Sequence, residues 1–144
     1  FDHTIQRRYV ALVWGNFEED EGTITGNIGR SPRDRQKMFV FADGSDGKHA
    51  VTHWKVLKRY GYVTLVECRL ETGRTHQIRV HMAYIGHPIL GDTVYGAKKE
   101  VPGLTGQCLH AVGLRFLHPR THEVVELFCP LPEEFTRMLQ KIRK

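Results

Sequence analysis

Residues 49–70 read HAVTHWKVLKRY followed by GYVTLVECRL, two runs filled with β-branched and aromatic residues that break at Gly61. A glycine between two such runs signals a tight reversal, so the pair predicts an antiparallel hairpin and commits the chain to a sheet. RRYVALVWG (Arg7 to Gly15) alternates as regularly: Tyr9, Ala11 and Val13 fall on one face, Val10, Leu12 and Trp14 on the other. Both faces are largely apolar, which predicts a strand in the middle of the sheet. GTITGNIGR reads as one short strand bounded by glycines and KMFVF (Lys37 to Phe41) as another. LHAVGLRFLHP and THEVVELFCP supply two more, joined by a turn at Pro119-Arg120.

The period changes after Thr75. Ile78, Met82 and Ile85 recur at helical spacing, Thr75 is the expected N-cap, Gly86 fits the position just past the helix end, and Pro88 blocks continuation. These signals predict a short helix over residues 76–85. GAKKEVPGLTGQ reads as a loop. Pro132-Glu133-Glu134 opens a terminal helix with acids in its first turn and cations in its last, as the helix dipole favours. No internal repeat, low-complexity tract or domain boundary interrupts the pattern. The expected fold is a single α+β domain built on a mostly antiparallel sheet with a few helices.

Composition limits the functional classes. At 144 residues, 40% apolar and 26% charged, the chain has enough material for one core and the make-up of a soluble protein. No apolar run approaches the roughly 20 residues that cross a bilayer, and no signal-peptide pattern opens the sequence. Cys68, Cys108 and Cys129 are odd in number and far apart, which argues against a disulfide framework or a cysteine zinc site. The chain therefore reads as intracellular, in the cytoplasm. A formal charge of +5 favours polyanionic partners. RSPRDRQKM (Arg30 to Met38) carries four of the cations against one acid, and RMLQKIRK makes a cationic tail.

The densest chemistry lies in TGRTHQIRVHMAYIGHPILGDTVYG (Thr72 to Gly96), which holds two arginines, three histidines and an aspartate among core-type residues. A metal site fits poorly: His76 and His81 are five apart, about 140° around a helix, and no glutamate follows His76. No GxSxG elbow, P-loop or GxGxxG fingerprint occurs, so neither that hydrolase motif nor those nucleotide-binding motifs has support. The arginines remain. Arg74 and Arg79 carry planar forks suited to phosphate or carboxylate, and a partly buried guanidinium needs an anionic partner. That partner is either a ligand or a structural acid, for which Glu67, Glu71 and Asp92 are the candidates.

RLETGRTHQIRVHMAYIGHPILGDTVYG strongly resembles the C-terminal signature of RluA-type pseudouridine synthases. RRYVALVWG resembles the basic-x-Tyr-x-Ala-x-Val-x-Gly strand of that family, GNIGRSPRDRQKM its Ile-Gly-Arg loop with trailing basic residues, and QCLHAVGLRFLHP and the PLP before the last helix also match. The resemblance runs in order from about Arg7 to Phe135. It implies isomerisation of uridine to pseudouridine in ribosomal or transfer RNA, with no metal and no cofactor. By position it implies that Tyr9 stacks on the target base and takes part in proton abstraction, and that Arg79 pairs with the catalytic aspartate. It makes Leu109 an aliphatic wall of the base pocket. Arg74, His76 and Gln77, with Arg30, Arg33, Arg35 and Lys37 of the basic loop, become candidate RNA contacts.

One element of the family pattern is absent. The nucleophilic aspartate belongs to an Arg-Leu-Asp motif ahead of the tyrosine strand, and this chain has no such motif. RLE at Arg69 to Glu71 carries glutamate and belongs to the later arginine motif. Asp2, Asp20, Asp34, Asp43, Asp46 and Asp92 do not match the nucleophile either. The expectation is therefore the C-terminal portion of a catalytic domain, inactive by itself, with Arg79 lacking its carboxylate. A non-catalytic RNA-binding module with the same fold is the alternative.

Overall fold

A computed structural model describes residues 6–97, 101–102, 104, 106–117, 120–121, 123–128 and 131–142. Six strands form one antiparallel sheet: β1 (Gln6–Trp14), β2 (Glu21–Thr25), β5 (Val51–Arg59), β6 (Val63–Leu70), β7 (Leu109–Leu117) and β8 (Val124–Phe128). Their order across the sheet is β2-β5-β6-β1-β7-β8. β3 (Asn27–Arg30) and β4 (Met38–Phe41) make a separate two-stranded ribbon, and two helices complete the α+β fold, α1 (Gln77–Tyr84) and α2 (Glu133–Ile142).

β1 lies in the interior of the sheet, as its two apolar faces require. Ala11, Leu12 and Val13 are wholly inaccessible to solvent. Where β7 ends, the segment around Ile89 and Cys108 takes over: the Trp14 N–H donates to the Pro88 carbonyl, the Leu90 N–H to Leu12, and the Leu12 N–H to Cys108. These bonds continue the pairing of the central strand's buried end beyond the reach of β7. β5 and β6 form the expected hairpin. Gly61 sits in its turn at φ 95, a conformation that a side chain would strain. A register slip between Val56 and Lys58 leaves Leu57 unpaired and 46% exposed.

Two expectations require correction. GTITGNIGR is not one strand: β2 belongs to the main sheet, β3 to the ribbon, and the chain leaves one for the other at buried Gly26. A Cβ there would stand 2.7 Å from Val40 Cγ1, so the crossing demands glycine. Thr75 does not cap α1. The N-cap is His76, in the left-handed region at φ 55, with no side-chain cap bond. The other end behaves as read. The N–H groups of Gly86 and His87 bond to the Ala83 and Met82 carbonyls, a Schellman closure with Gly86 at φ 90. The proposed Pro119-Arg120 turn lies partly outside the described residues.

α1 bridges two cores. Ile78 and Met82 join the main core of the sheet, and Val80 packs with Ile28, Val40 and Ala50 behind the ribbon. Its polar inner face is also buried. His81 is fully inaccessible; its Nε2–H donates to the Gly26 carbonyl at 3.0 Å, and the Thr52 hydroxyl donates to its Nδ1 at 2.8 Å. Burial lowers the His81 pKa below the ordinary 6.5, only partly offset by the Gly26 carbonyl. A folded value below the unfolded one means that protonation favours the open chain. The contribution is full above about pH 6.5 and falls away as pH drops through the folded value. Urea unfolding should thus show stability declining from pH 7.5 to pH 5. His81→Leu should cost about 1–3 kcal/mol at pH 7.5 by leaving the Gly26 carbonyl unpaired, and should reduce that slope.

Candidate active site

Three pieces of backbone converge on one open cleft of about 560 Å³. The first half of β1 contributes Arg7 and Tyr9, the turn before α1 and its first turn contribute Arg74, His76, Gln77 and Arg79, and the approach to β7 contributes Gln107 and Leu109. Six residues singled out from the sequence, Tyr9, Arg74, His76, Gln77, Arg79 and Leu109, therefore meet in one place. Strand alternation explains the first group, since Arg7 and Tyr9 are two apart and share a face. At Tyr9 the β1–β7 register slips, with Arg8 opposite Gly113 and Tyr9 opposite Ala111, so β7 carries an extra residue beside the cleft.

Arg79 is held from two sides. Its Nε donates to Asp92 Oδ2 at 2.9 Å and its Nη2 to Asp92 Oδ1 at 3.1 Å, a two-point fork. The Tyr95 ring lies against the guanidinium, 5.1 Å from ring centre to Cζ. Asp92 has no exposed side-chain surface, and its Oδ1 also accepts the Val94 and Tyr95 N–H groups. Burial pushes the Asp92 pKa up. The Arg79 hydrogen bonds and charge and the two backbone donors outweigh it and hold the carboxyl below the ordinary 3.8. Gly91 makes the turn at φ 79, and a Cβ there would strike the Gly106 carbonyl at 2.3 Å.

Of the three structural acids considered for Arg79, Asp92 is the one it pairs with. Glu67 instead takes Arg69 at 3.0 Å and Arg8 at 3.8 Å, and Glu71 pairs with His53. Gln77 also differs from its expected role. It is 2% exposed and its amide is fully engaged: Oε1 accepts Thr72 Oγ1 and the Arg74 N–H, and Nε2 donates to the Val51 carbonyl and Thr52 Oγ1. Its side chain has no hydrogen-bonding capacity left for RNA, so it positions Arg74 instead. Arg74 is steadied further by Nε donating to the His49 carbonyl at 2.8 Å.

The basic loop lies beside the cleft and not in it. Arg30 lines an adjoining groove of about 530 Å³ with Lys48, and the two depressions share Gly73 and Arg74. Arg33 and Arg35 are exposed and Lys37 is half-buried in a loop closed by the Ser31 N–H to Lys37 carbonyl bond. Among the described residues no carboxylate lines the main cleft, while Arg7, Arg74 and Arg79 do. The site therefore favours an anion. Among the described residues no group of three His, Cys, Asp or Glu side chains stands close enough to hold a metal ion.

Residues 1–84 match the family described as RNA pseudouridylate synthase. The chain belongs to that family. It is 53% identical over 141 residues to YlyB of Bacillus subtilis, an uncharacterized RNA pseudouridine synthase, covering 98% of this chain and 45% of that one. It is 43% identical to the ribosomal large subunit pseudouridine synthase D of Xanthomonas campestris, covering 97% of this chain and 45% of the relative. The chain thus spans less than half the length of these curated relatives. Among solved structures it resembles human RNA pseudouridylate synthase domain containing 1, with a TM-score of 0.72 and 30% identity over 97% of this chain and 66% of that one.

Sequence reasoning missed Arg7, Gln107 and Tyr95. Arg7 was legible, two residues before Tyr9 on an alternating strand. Tyr95 was not, because its partners come from β4, α1 and its own loop. Asp92→Asn should destabilise the fold by about 3–5 kcal/mol in urea, since it leaves a partly buried guanidinium without its counter-charge. The double substitution Arg79→Met with Asp92→Asn should recover a large part of that loss. Because the Asp92 pKa is lowered, its contribution is present above about pH 4 and disappears as pH falls below 3.8 through the folded value.

Proposed function

We propose that this chain is the C-terminal portion of a catalytic domain that isomerises specific uridines in structured RNA to pseudouridine. The observation that carries the reading is the meeting of Tyr9, Arg79 and Leu109 in one arginine-lined cleft that contains no carboxylate among its described lining residues. A uridine in a stem cannot reach such a cleft while stacked, so the target base is flipped out of the RNA. Tyr9 offers a ring for it to stack on, and Leu70 and Leu109 offer aliphatic walls. Arg7 and Arg74 are placed to meet the flanking phosphates.

The reaction breaks the bond between N1 and the ribose, turns the base, and joins C5 to the same ribose carbon. The C5 proton leaves and N1 gains one, so atoms balance without a redox partner or cofactor. A nucleophilic carboxylate lies upstream of Phe1 in this proposal, and Arg79 supports it. Asp92 occupies Nε and Nη2 of Arg79, so Nη1 remains for that second acid. Tyr9, beside the base, is the group that takes part in removing the C5 proton. The name of the Xanthomonas campestris relative refers to the large ribosomal subunit, which makes ribosomal RNA the first pool to test and transfer RNA the second. Such RNA is met in the cytoplasm.

A second reading has one observation in its favour: Asp92 already occupies the arginine that a catalytic acid would use. On that reading the chain is a non-catalytic RNA-binding module. The two separate in one experiment. The 144-residue chain and a chain extended through its native upstream sequence are incubated with total RNA from a strain lacking the gene, and pseudouridine is mapped. Activity confined to the extended chain is the expected result, and Arg79→Lys in that chain should lower the rate about 100-fold or more through loss of the fork. RNA binding by both chains without product favours the module. Turnover by the short chain places the nucleophile within it, with Asp92 the first residue to substitute.

A further inference from the structure

Tyr95 is not among the residues that line the cleft, yet it organises one side of it. Its hydroxyl lies 2.9 Å from the Met38 N–H, which donates to it, and 2.8 Å from His76 Nδ1. A phenol oxygen that accepts a backbone N–H still has its own proton to place, and the acceptor it meets is His76 Nδ1. An Nδ1 that accepts leaves the ring proton on Nε2. The imidazole is held in place at the same time: its edge rests on the Tyr95 ring at 5.6 Å and 76°, and its backbone sits in the left-handed region at φ 55. His76 is the one non-glycine residue with positive φ among the described residues, at a cost of about 1–2 kcal/mol that a purely solvated side chain would not repay.

The charge state is set as well. Partial burial, then the nearby Arg79, and to a smaller extent Arg30, lower the His76 pKa below the ordinary 6.5 against the opposing pull of Asp92. That lowering favours the uncharged ring at neutral pH. Arg7 and Arg74 in the same cleft are placed for the anionic groups of a ligand, so a neutral, oriented donor suits a neutral acceptor. Uracil offers its carbonyl O4, where cytosine carries an amino group that donates.

Resting on the proposed function, the geometry points to Tyr95 as a positioning residue that fixes His76 with its Nε2–H directed at the O4 carbonyl of the target uracil, a contact that discriminates against cytosine. A site built around one such donor leaves it unpaired, facing another donor, when the wrong base enters.

Nitrogen-15 NMR of the histidine rings at pH 7.5, on the longest native chain that contains these residues, reads the tautomer directly. Titration with uridine 5′-monophosphate and cytidine 5′-monophosphate reads the preference. The unsubstituted protein should show Nε2–H at His76 and favour the uridine nucleotide by about tenfold. Tyr95→Phe keeps the ring against Arg79 and removes the hydroxyl; it should yield a tautomer mixture and reduce the preference severalfold. His76→Gly, which accepts φ 55 without strain and so keeps the turn, should bring the ratio near one. An Nδ1–H or doubly protonated ring in the unsubstituted protein overturns the assignment. So does a preference that neither substitution alters, or a failure to bind the uridine nucleotide. Absence of pseudouridine formation by that protein, with tautomer and preference as stated, defeats the proposed reaction and leaves the donor assignment standing.

Discussion

The structure depends on a short chain of buried hydrogen bonds running along the inner face of α1. Gln77 Nε2 donates to Thr52, Thr52 donates to His81, and His81 donates to the Gly26 carbonyl, where the strand path leaves the main sheet for the ribbon. The other end of the Gln77 amide holds the turn at Thr72 and Arg74. Each group is an acceptor for one neighbour and a donor for the next, so little polar capacity is left unspent in a region that excludes water. This chain sets the distance between α1, β5 and the ribbon. The wall of the cleft formed by the helix, with Arg74, His76 and Arg79 along it, inherits its geometry from that spacing.

Against this frame, the Arg79–Asp92 pair orients charge more than it stabilises the fold. Burying two ions is expensive, and a pair of apolar residues of like volume would serve packing as well or better. What the fork provides is direction: two guanidinium nitrogens are committed to a rigid carboxylate, the ring of Tyr95 supports the plane, and the remaining nitrogen is available to the cleft. A lysine could supply the charge there and none of the planarity. The positive character of the cleft follows from the same separation, since the one acid close to Arg79 in this network is turned inward and sealed from solvent.

Much of this was legible in the sequence, for identifiable reasons. Strands betray themselves by alternation and by β-branched residues, so β1, β4, β5 and β6 could be read, as could the end of α1, where Gly86 and Pro88 punctuate the chain. The roles proposed for Tyr9 and Arg79 rest on the family resemblance and lie beyond any spacing argument. Gly26 could not be read as a crossing, because its requirement comes from Val40 in a different strand. Thr75 looked like a cap by residue type, yet the backbone turns at His76 and the helix begins without one. Gln77, beside two arginines, looked like a surface contact; its partners at Val51 and Thr52 lie 25 residues or more away in sequence. Tyr95 was invisible for the same cause: its three contacts converge only after folding.

The interior position of β1 also bears on how such a chain is made. β5 and β6 are neighbours joined by a tight turn and can associate soon after synthesis, whereas β1 must find β6 some fifty residues later and β7 about a hundred residues later. Until β7 is available, one edge of β1 has its hydrogen-bonding groups open beside Ala11 and Leu12, residues that end fully enclosed. The strand that carries Tyr9 thus precedes every partner it has in this sheet and is among the last of these strands to gain both neighbours. Between the synthesis of β1 and that of β7, such a polypeptide presents a sticky edge to the ribosome exit and to chaperones.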